Sequence, residues 1–214
     1  MNNEAKIIFG IAGVVIGGVL LLMAFMPKDG GAVVSAKTDL VASSSHMTGN
    51  INAKVTIVEF GDYQCPACAV FYAMSKEVFD EYSKNPEVNF VYRHYPLPNH
   101  RFALVSADAA EAAAEQGKFW EMHDKLFTNQ VEWANSVNPT SLFVTYAESL
   151  GLDSTRFAQA LKDKAHRTFV ETDRRAGDIA GVAWTPSIYI NGVLLRDMPS
   201  AKELRDLINK ELAK

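Results

Sequence analysis

The sequence predicts an α/β domain built from a β-α-β unit, an all-helical insertion, a β-hairpin and a closing helix, preceded by an N-terminal transmembrane helix. Three observations lead there. Two runs rich in β-branched and aromatic residues, Val55 to Phe60 and Val88 to Tyr92, flank a stretch whose apolar residues recur at helical spacing. The segment from about Arg101 to Ala180 is helical by composition, with an alanine-rich start. Two short apolar runs then bracket an Asn-Gly turn, and a capped amphipathic segment follows.

A chain of 214 residues with 48% hydrophobic content is long enough to bury one core after the N-terminal segments are set aside. The net charge of −4 leaves no basic field for a polyanion, which excludes nucleic-acid binding.

Residues 1–6 are a short N-terminus expected on the cytoplasmic side. Ile7 to Met26 follow without a charge, and at about 1.5 Å per residue they reach roughly 30 Å, the thickness of a bilayer's hydrocarbon core. Val34-Ser35-Ala36 resembles a signal-peptide cleavage site, but the apolar run is long for a signal and the site lies far beyond it. A retained single-pass anchor in the cell membrane is therefore the expectation. Residues 27–50 are small, polar and aperiodic, as in a flexible tether. Residues 51–214 form the domain.

Val55 to Phe60 has the near-continuous apolar character of a strand buried on both faces. Gly61-Asp62 breaks it, and a helix runs from Cys65 to the Asn85-Pro86 stop. Strand, helix and strand imply a parallel pair with a helical crossover. The insertion spans about 97–180: Gly117 breaks its first part, Pro139 opens a later helix, Leu150-Gly151-Leu152 ends that one, and Ser154 caps the next. The hairpin takes Ile188 to Ile190 and Val193 to Leu195 around Asn191-Gly192. Ser200 to Leu212 closes the chain, with Ser200 and Glu203 spaced as a capping box.

Cys65 and Cys68 are the only cysteines. A bridge closing so short a loop removes little chain entropy and is a poor staple, so the pair reads as a redox couple. At a helix start, free N–H groups and the helix dipole favour an anion, which would depress the Cys65 thiol pKa and make it the attacking and leaving thiolate. Pro66 suits the first helical position, and Cys68, one turn on and more buried, is the resolving thiol. Metal ligation is disfavoured: there is no second cysteine pair, and His46, His94, His100, His123 and His166 show no ligand spacing. No cofactor is called for. Glu59 lies inside an apolar strand six residues before Cys65. A buried carboxyl there has a raised pKa and is placed to exchange a proton with Cys68. Thr185-Pro186 precedes the hairpin; spacing alone favours an ordinary trans bond, whereas a cis bond would expose the Thr185 backbone to an added peptide strand.

The segments VTIVEFGDYQCPACAVFY, EQGKFWEMHDKLF and GVAWTPSIYING resemble the DsbA-like thioredoxin family, especially membrane-anchored or lipoprotein bacterial members, over about Asn50 to Leu212. The resemblance implies a thioredoxin fold with an inserted all-helical subdomain. It implies Cys65 as nucleophile, Cys68 as resolving cysteine, Glu59 as the buried acid, and Pro186 as a cis-proline opposite the couple with Thr185 before it. Phe119 and Trp120 match a recurrent insert motif and read mainly as core. The function implied is introduction of disulfides into exported proteins with reduced cysteines, outside the cytoplasmic membrane, with reoxidation by a membrane quinone-linked partner resembling DsbB or VKOR. A reductase or isomerase on the same fold, or a non-catalytic peptide-binding factor, are the alternatives. One departure bears on them: the most oxidising members carry His where this chain has Ala67, so the thiolate is expected to be less stabilised.

Overall fold

The computed structural model describes residues 40–41 and 46–214. The expected membrane helix at 7–26 and most of the expected tether lie outside them; among the described residues no helix is long and apolar enough to cross a membrane.

Strand β1 (His46–Thr48) is followed by β2 (Val55–Gly61), α1 (Pro66–Tyr82) and β3 (Val88–His94). Six helices come next: α2 (Ala103–Ala114), α3 (Phe119–Thr128), α4 (Gln130–Ala134), α5 (Pro139–Ser149), α6 (Ser154–Asp163) and α7 (Arg167–Ala180). The hairpin β4 (Ser187–Ile190) and β5 (Val193–Leu194) and the helix α8 (Ala201–Leu212) complete the chain. The sheet order is β1-β3-β2-β4-β5, with β2 and β3 parallel and every other pair antiparallel. This is the expected β-α-β, helical insertion, hairpin and helix, with the crossover helix α1 joining the parallel pair.

Every residue of β2 is buried, because both sheet faces are covered. Val55 and Ile57 pack with Phe71 and Val78 of α1 and Leu204 and Ile208 of α8. Val58 and Phe60 face the other way, with Tyr95, Ala180 and Tyr189. By the two-residue alternation of a strand, Glu59 shares the α1 face with Val55 and Ile57. The third cluster lies beneath the insertion and includes Trp133, Phe143 and Phe157 together with both cysteines.

The structure corrects the expected boundaries in two places. His46–Thr48, assigned to the tether, forms an edge strand on β3; three residues are too few to show a period, and their pairing comes from the open edge they cover. Asp153 rather than Ser154 caps α6, its carboxylate accepting from the Arg156 N–H at 2.9 Å. Helix α1 begins at Pro66, the expected first helical position, with Cys65 as its N-cap. The capping box at Ser200 and Glu203 forms as expected. Asn191 and Gly192 both take positive φ, 49° and 87°, which the tight hairpin requires.

Candidate active site

Glu59 is 2% exposed, and its Oε1 has no hydrogen-bond partner. Burial, and then the nearby charge of Cys65, push its pKa from 4.5 to about 8. It lines a small cavity of about 60 Å³ whose other walls include Tyr72, Lys76, His123 and Asp124. That volume holds a few waters, and its walls run from buried Glu59 to half-exposed Lys76 and Asp124.

Between β2 and α1 the chain turns at Gly61 to Cys65. A side chain at Gly61 would place a Cβ 2.6 Å from the Tyr92 ring, so only glycine fits. The buried Asp62 carboxylate organises the turn: Oδ1 accepts from the Gln64 N–H at 2.7 Å, and Oδ2 accepts from the Leu97 N–H at 2.9 Å and lies 2.7 Å from His100 Nδ1. The Asp62 N–H points at the Cys68 Sγ, 3.5 Å away. From the insertion, the Gln130 side-chain amide donates to the carbonyls of Tyr63 and Cys65 at 2.7 and 2.9 Å. Tyr63 in turn bonds His123; burial holds that imidazole neutral, its pKa lowered to about 3.

Both cysteines are free thiols, Cys65 7% exposed and Cys68 fully buried. As N-cap, Cys65 is extended (φ −71°, ψ 121°), which leaves its sulfur at the helix mouth. Its pKa is lowered from 9.0 to about 5. The hydrogen bond from Cys68 does most of this against opposing burial, helped by the Thr185 side chain and the backbone N–H groups of Cys68 and Ala67. The Cys68 thiol moves well above 9.0 through burial first, then through its bond to Cys65 and the charges of Glu59 and Cys65. At neutral pH the outer sulfur is an anion and the inner one keeps its proton. A neighbouring histidine is not needed: the residue at 67 contributes its backbone N–H, and no side chain.

The Thr185-Pro186 bond is cis, which corrects the trans expectation from spacing and agrees with the one from resemblance. Thr185 is buried, its carbonyl 3.4 Å from the Cys65 Sγ, and Trp184 beside it is half exposed. Of the expected residues, Cys65, Cys68 and the Thr185 carbonyl meet beyond the end of β2, Glu59 lies near enough for its charge to act on Cys68, and Pro186 follows Thr185 through the cis bond. Asp62, Gln130 and His123 were not foreseen. Asp62 carried a turn signal that masked its role; Gln130 and His123 come from the insertion, where nothing in the sequence points back at the cysteines.

The match to the family model described as thioredoxin covers residues 42–210. Among solved structures, oxidised BdbD from Bacillus subtilis is 25% identical at a TM-score of 0.75, covering 86% of this chain and 99% of that one. Alpha-DsbA1 from Wolbachia pipientis has a TM-score of 0.71 at 20% identity, covering 81% and 94%. A stretch of 148 residues is 40% identical to part of the Na(+)/H(+) antiporter NhaA 3 of Salinispora tropica, 69% of this chain but 22% of that protein. The chain spans about a fifth of the length of these curated relatives, so the likeness concerns a segment of them and carries no transport activity with it. The chain belongs to the thioredoxin family.

Proposed function

We propose that the chain is a dithiol oxidase, held by residues 7–26 in the cell membrane with its catalytic domain on the extracytoplasmic side, that introduces disulfides into exported proteins with reduced cysteines. The observation that carries this reading is the inequality of the two thiols, Cys65 down to about 5 and Cys68 well above 9.0. A thiolate stabilised in the reduced form makes the oxidised form a better electron acceptor.

In the oxidised chain a client thiolate attacks Cys65 Sγ. The Cys65–Cys68 bond breaks, a mixed disulfide forms, and Cys68 leaves with the electron pair. Cys68 is too basic to remain an anion and takes a proton. The Glu59 carboxyl, whose ionised form lies close enough to raise the Cys68 pKa and which holds its proton at neutral pH, supplies it and is reprotonated through the adjoining cavity. A second client thiolate then attacks the client sulfur and expels Cys65 as a stabilised thiolate. The client gains a disulfide and the enzyme two electrons. Thr185 and Pro186 hold the client backbone beside Cys65, with Trp184 as an apolar contact. A membrane quinone-linked reoxidase resembling DsbB or VKOR removes the electrons.

Thiol trapping in cells tests this. Cys68→Ala accumulates Cys65-linked mixed disulfides with exported proteins, and the wild type rests oxidised. A wild type that rests reduced, with a potential as low as thioredoxin's near −270 mV, points instead to the reductase reading. Absence of adducts together with full function of Cys65→Ser points to a non-catalytic factor.

A further inference from the structure

We propose that His46, His94 and Glu111 form a binding site for one divalent transition-metal ion of the zinc type, which ties the sheet edge to the helical insertion. The three residues come from separate elements: His46 from β1, His94 from the end of β3, Glu111 from α2. β1 pairs with β3 so that His46 lies opposite Tyr92, two residues before His94, which brings both imidazoles to one face of the sheet. Glu111 descends onto that face from above. Its Oε1 lies 2.5 Å from His46 Nε2 and 2.6 Å from His94 Nε2.

One donor atom from each residue falls within 4.8 Å of the others. Tetrahedral zinc, with bonds of about 2.0–2.1 Å, needs its donors roughly 3.3 Å apart, so the cluster has to open its two short hydrogen bonds by less than about 1 Å and set the two imidazole nitrogens, within 4.8 Å of each other, at the same spacing. Two imidazoles and one carboxylate are a nitrogen-and-oxygen donor set that suits zinc and its neighbours in the transition series. Calcium is a poor fit because it takes six or more oxygens. The donors are preorganised: the His46 ring stacks on Phe119 with centroids 3.4 Å apart, and His94 and Glu111 are almost wholly buried. The side chain of His46 keeps 16% of its surface exposed, which provides an entry path and room for a water as fourth ligand. None of these residues belongs to the thiol site, so the inference stands or falls apart from the redox reading.

The test uses the full chain in detergent, untagged, chelator-stripped and oxidised, so that the Cys65–Cys68 disulfide offers no thiolate. Calorimetric titration with zinc chloride is expected to give one ion per chain. His46→Ala, at the sheet edge, and Glu111→Gln should each weaken binding at least tenfold, while His166→Ala leaves it unchanged. At zinc a hundredfold above its Kd, the folded-to-unfolded ratio should rise about 100-fold, a gain absent from His46→Ala. Cobalt in place of zinc should show tetrahedral visible absorption. Absence of saturable one-to-one binding overturns the proposal, as does binding that persists unchanged in both His46→Ala and Glu111→Gln. The apo His46→Ala chain unfolding at the wild-type apo midpoint would show that lost binding is not lost folding.

Discussion

In the reduced chain Glu59 and Cys65 impose opposite pH slopes on folding stability, and Glu59→Gln separates them. The Glu59 pKa is raised from 4.5 to about 8 in the folded state. Between those values the folded chain keeps a proton that the unfolded chain has released, so stability is undiminished below pH 4.5 and falls as pH rises to about 8. Each pH unit in that window removes up to about 1.4 kcal/mol. Cys65 acts the other way, its pKa lowered from 9.0 to about 5: its stabilisation is complete above 9 and is lost as pH falls through 5. Because its sulfur faces the open side of the site, a discounted slope of about 1 kcal/mol per pH unit is appropriate. From pH 6.5 to 8 the two nearly cancel, and the reduced wild type has a shallow profile. In Glu59→Gln the falling limb is gone. The stability gap between variant and wild type therefore opens by about 4 kcal/mol from pH 5 to pH 8 in favour of the variant. His123, lowered to about 3 by burial, affects both chains alike and drops out of the difference. Urea unfolding at pH 5, 6.5 and 8 reads the effect, with a constant m-value as the check on two-state behaviour. Parallel profiles for variant and wild type would refute the buried, proton-holding Glu59, and with it the acid that serves Cys68.

Three other perturbations probe the same site. Cys68→Ala removes the largest stabiliser of the Cys65 thiolate, so ultraviolet thiolate titration should show the Cys65 midpoint rising from about 5 by more than one pH unit; an unmoved midpoint assigns the depression to the helix start alone. Asp62→Ala strips the acceptor from the Gln64 and Leu97 N–H groups and should cost about 2–4 kcal/mol, read as a lower Tm; a loss below 0.5 kcal/mol would mean that the turn holds without it. Ala67→His adds a donor beside the thiolate, and equilibration with glutathione should show the potential rising by about 30 mV for each tenfold of added stabilisation; a potential that is unchanged or lower would show that the backbone N–H groups already saturate the sulfur.

The parts of the molecule governed by local chemistry were legible in the sequence. The Asn191-Gly192 turn, the Ser200 and Glu203 capping box, the Gly117 break and the β-branched run of β2 each act within a few residues, where spacing is itself the physics. Glu59 was legible for a related reason: a lone carboxyl in an apolar strand has to be buried with its neighbours. What the sequence hides is side-chain pairing across distance. Nothing near Gln130 shows that its amide reaches the carbonyls of Tyr63 and Cys65, and no spacing joins His46, His94 and Glu111. The cis bond at Pro186 was hidden for a different reason, since an X-Pro dipeptide reads the same in either isomer.

Those long-range pairs change how the insertion should be understood. Gln64 accepts the Phe102 N–H at 2.5 Å, Asp62 takes the Leu97 N–H and bonds His100, and Gln130 holds the carbonyls on either side of Gln64. Every residue from Asp62 to Cys65 is therefore bonded either to the insertion or to a neighbour that is. The extended geometry of Cys65 as N-cap, on which the placement of its sulfur at the helix mouth depends, is fixed by residues that belong to the insert and not to the sheet. A helix start can stabilise a thiolate only if the sulfur is kept at its mouth. In this chain the sheet supplies the strand and the acid, α1 supplies the N–H groups, and the insertion keeps the turn between them from relaxing; the reactivity of Cys65 is a property of all three layers together.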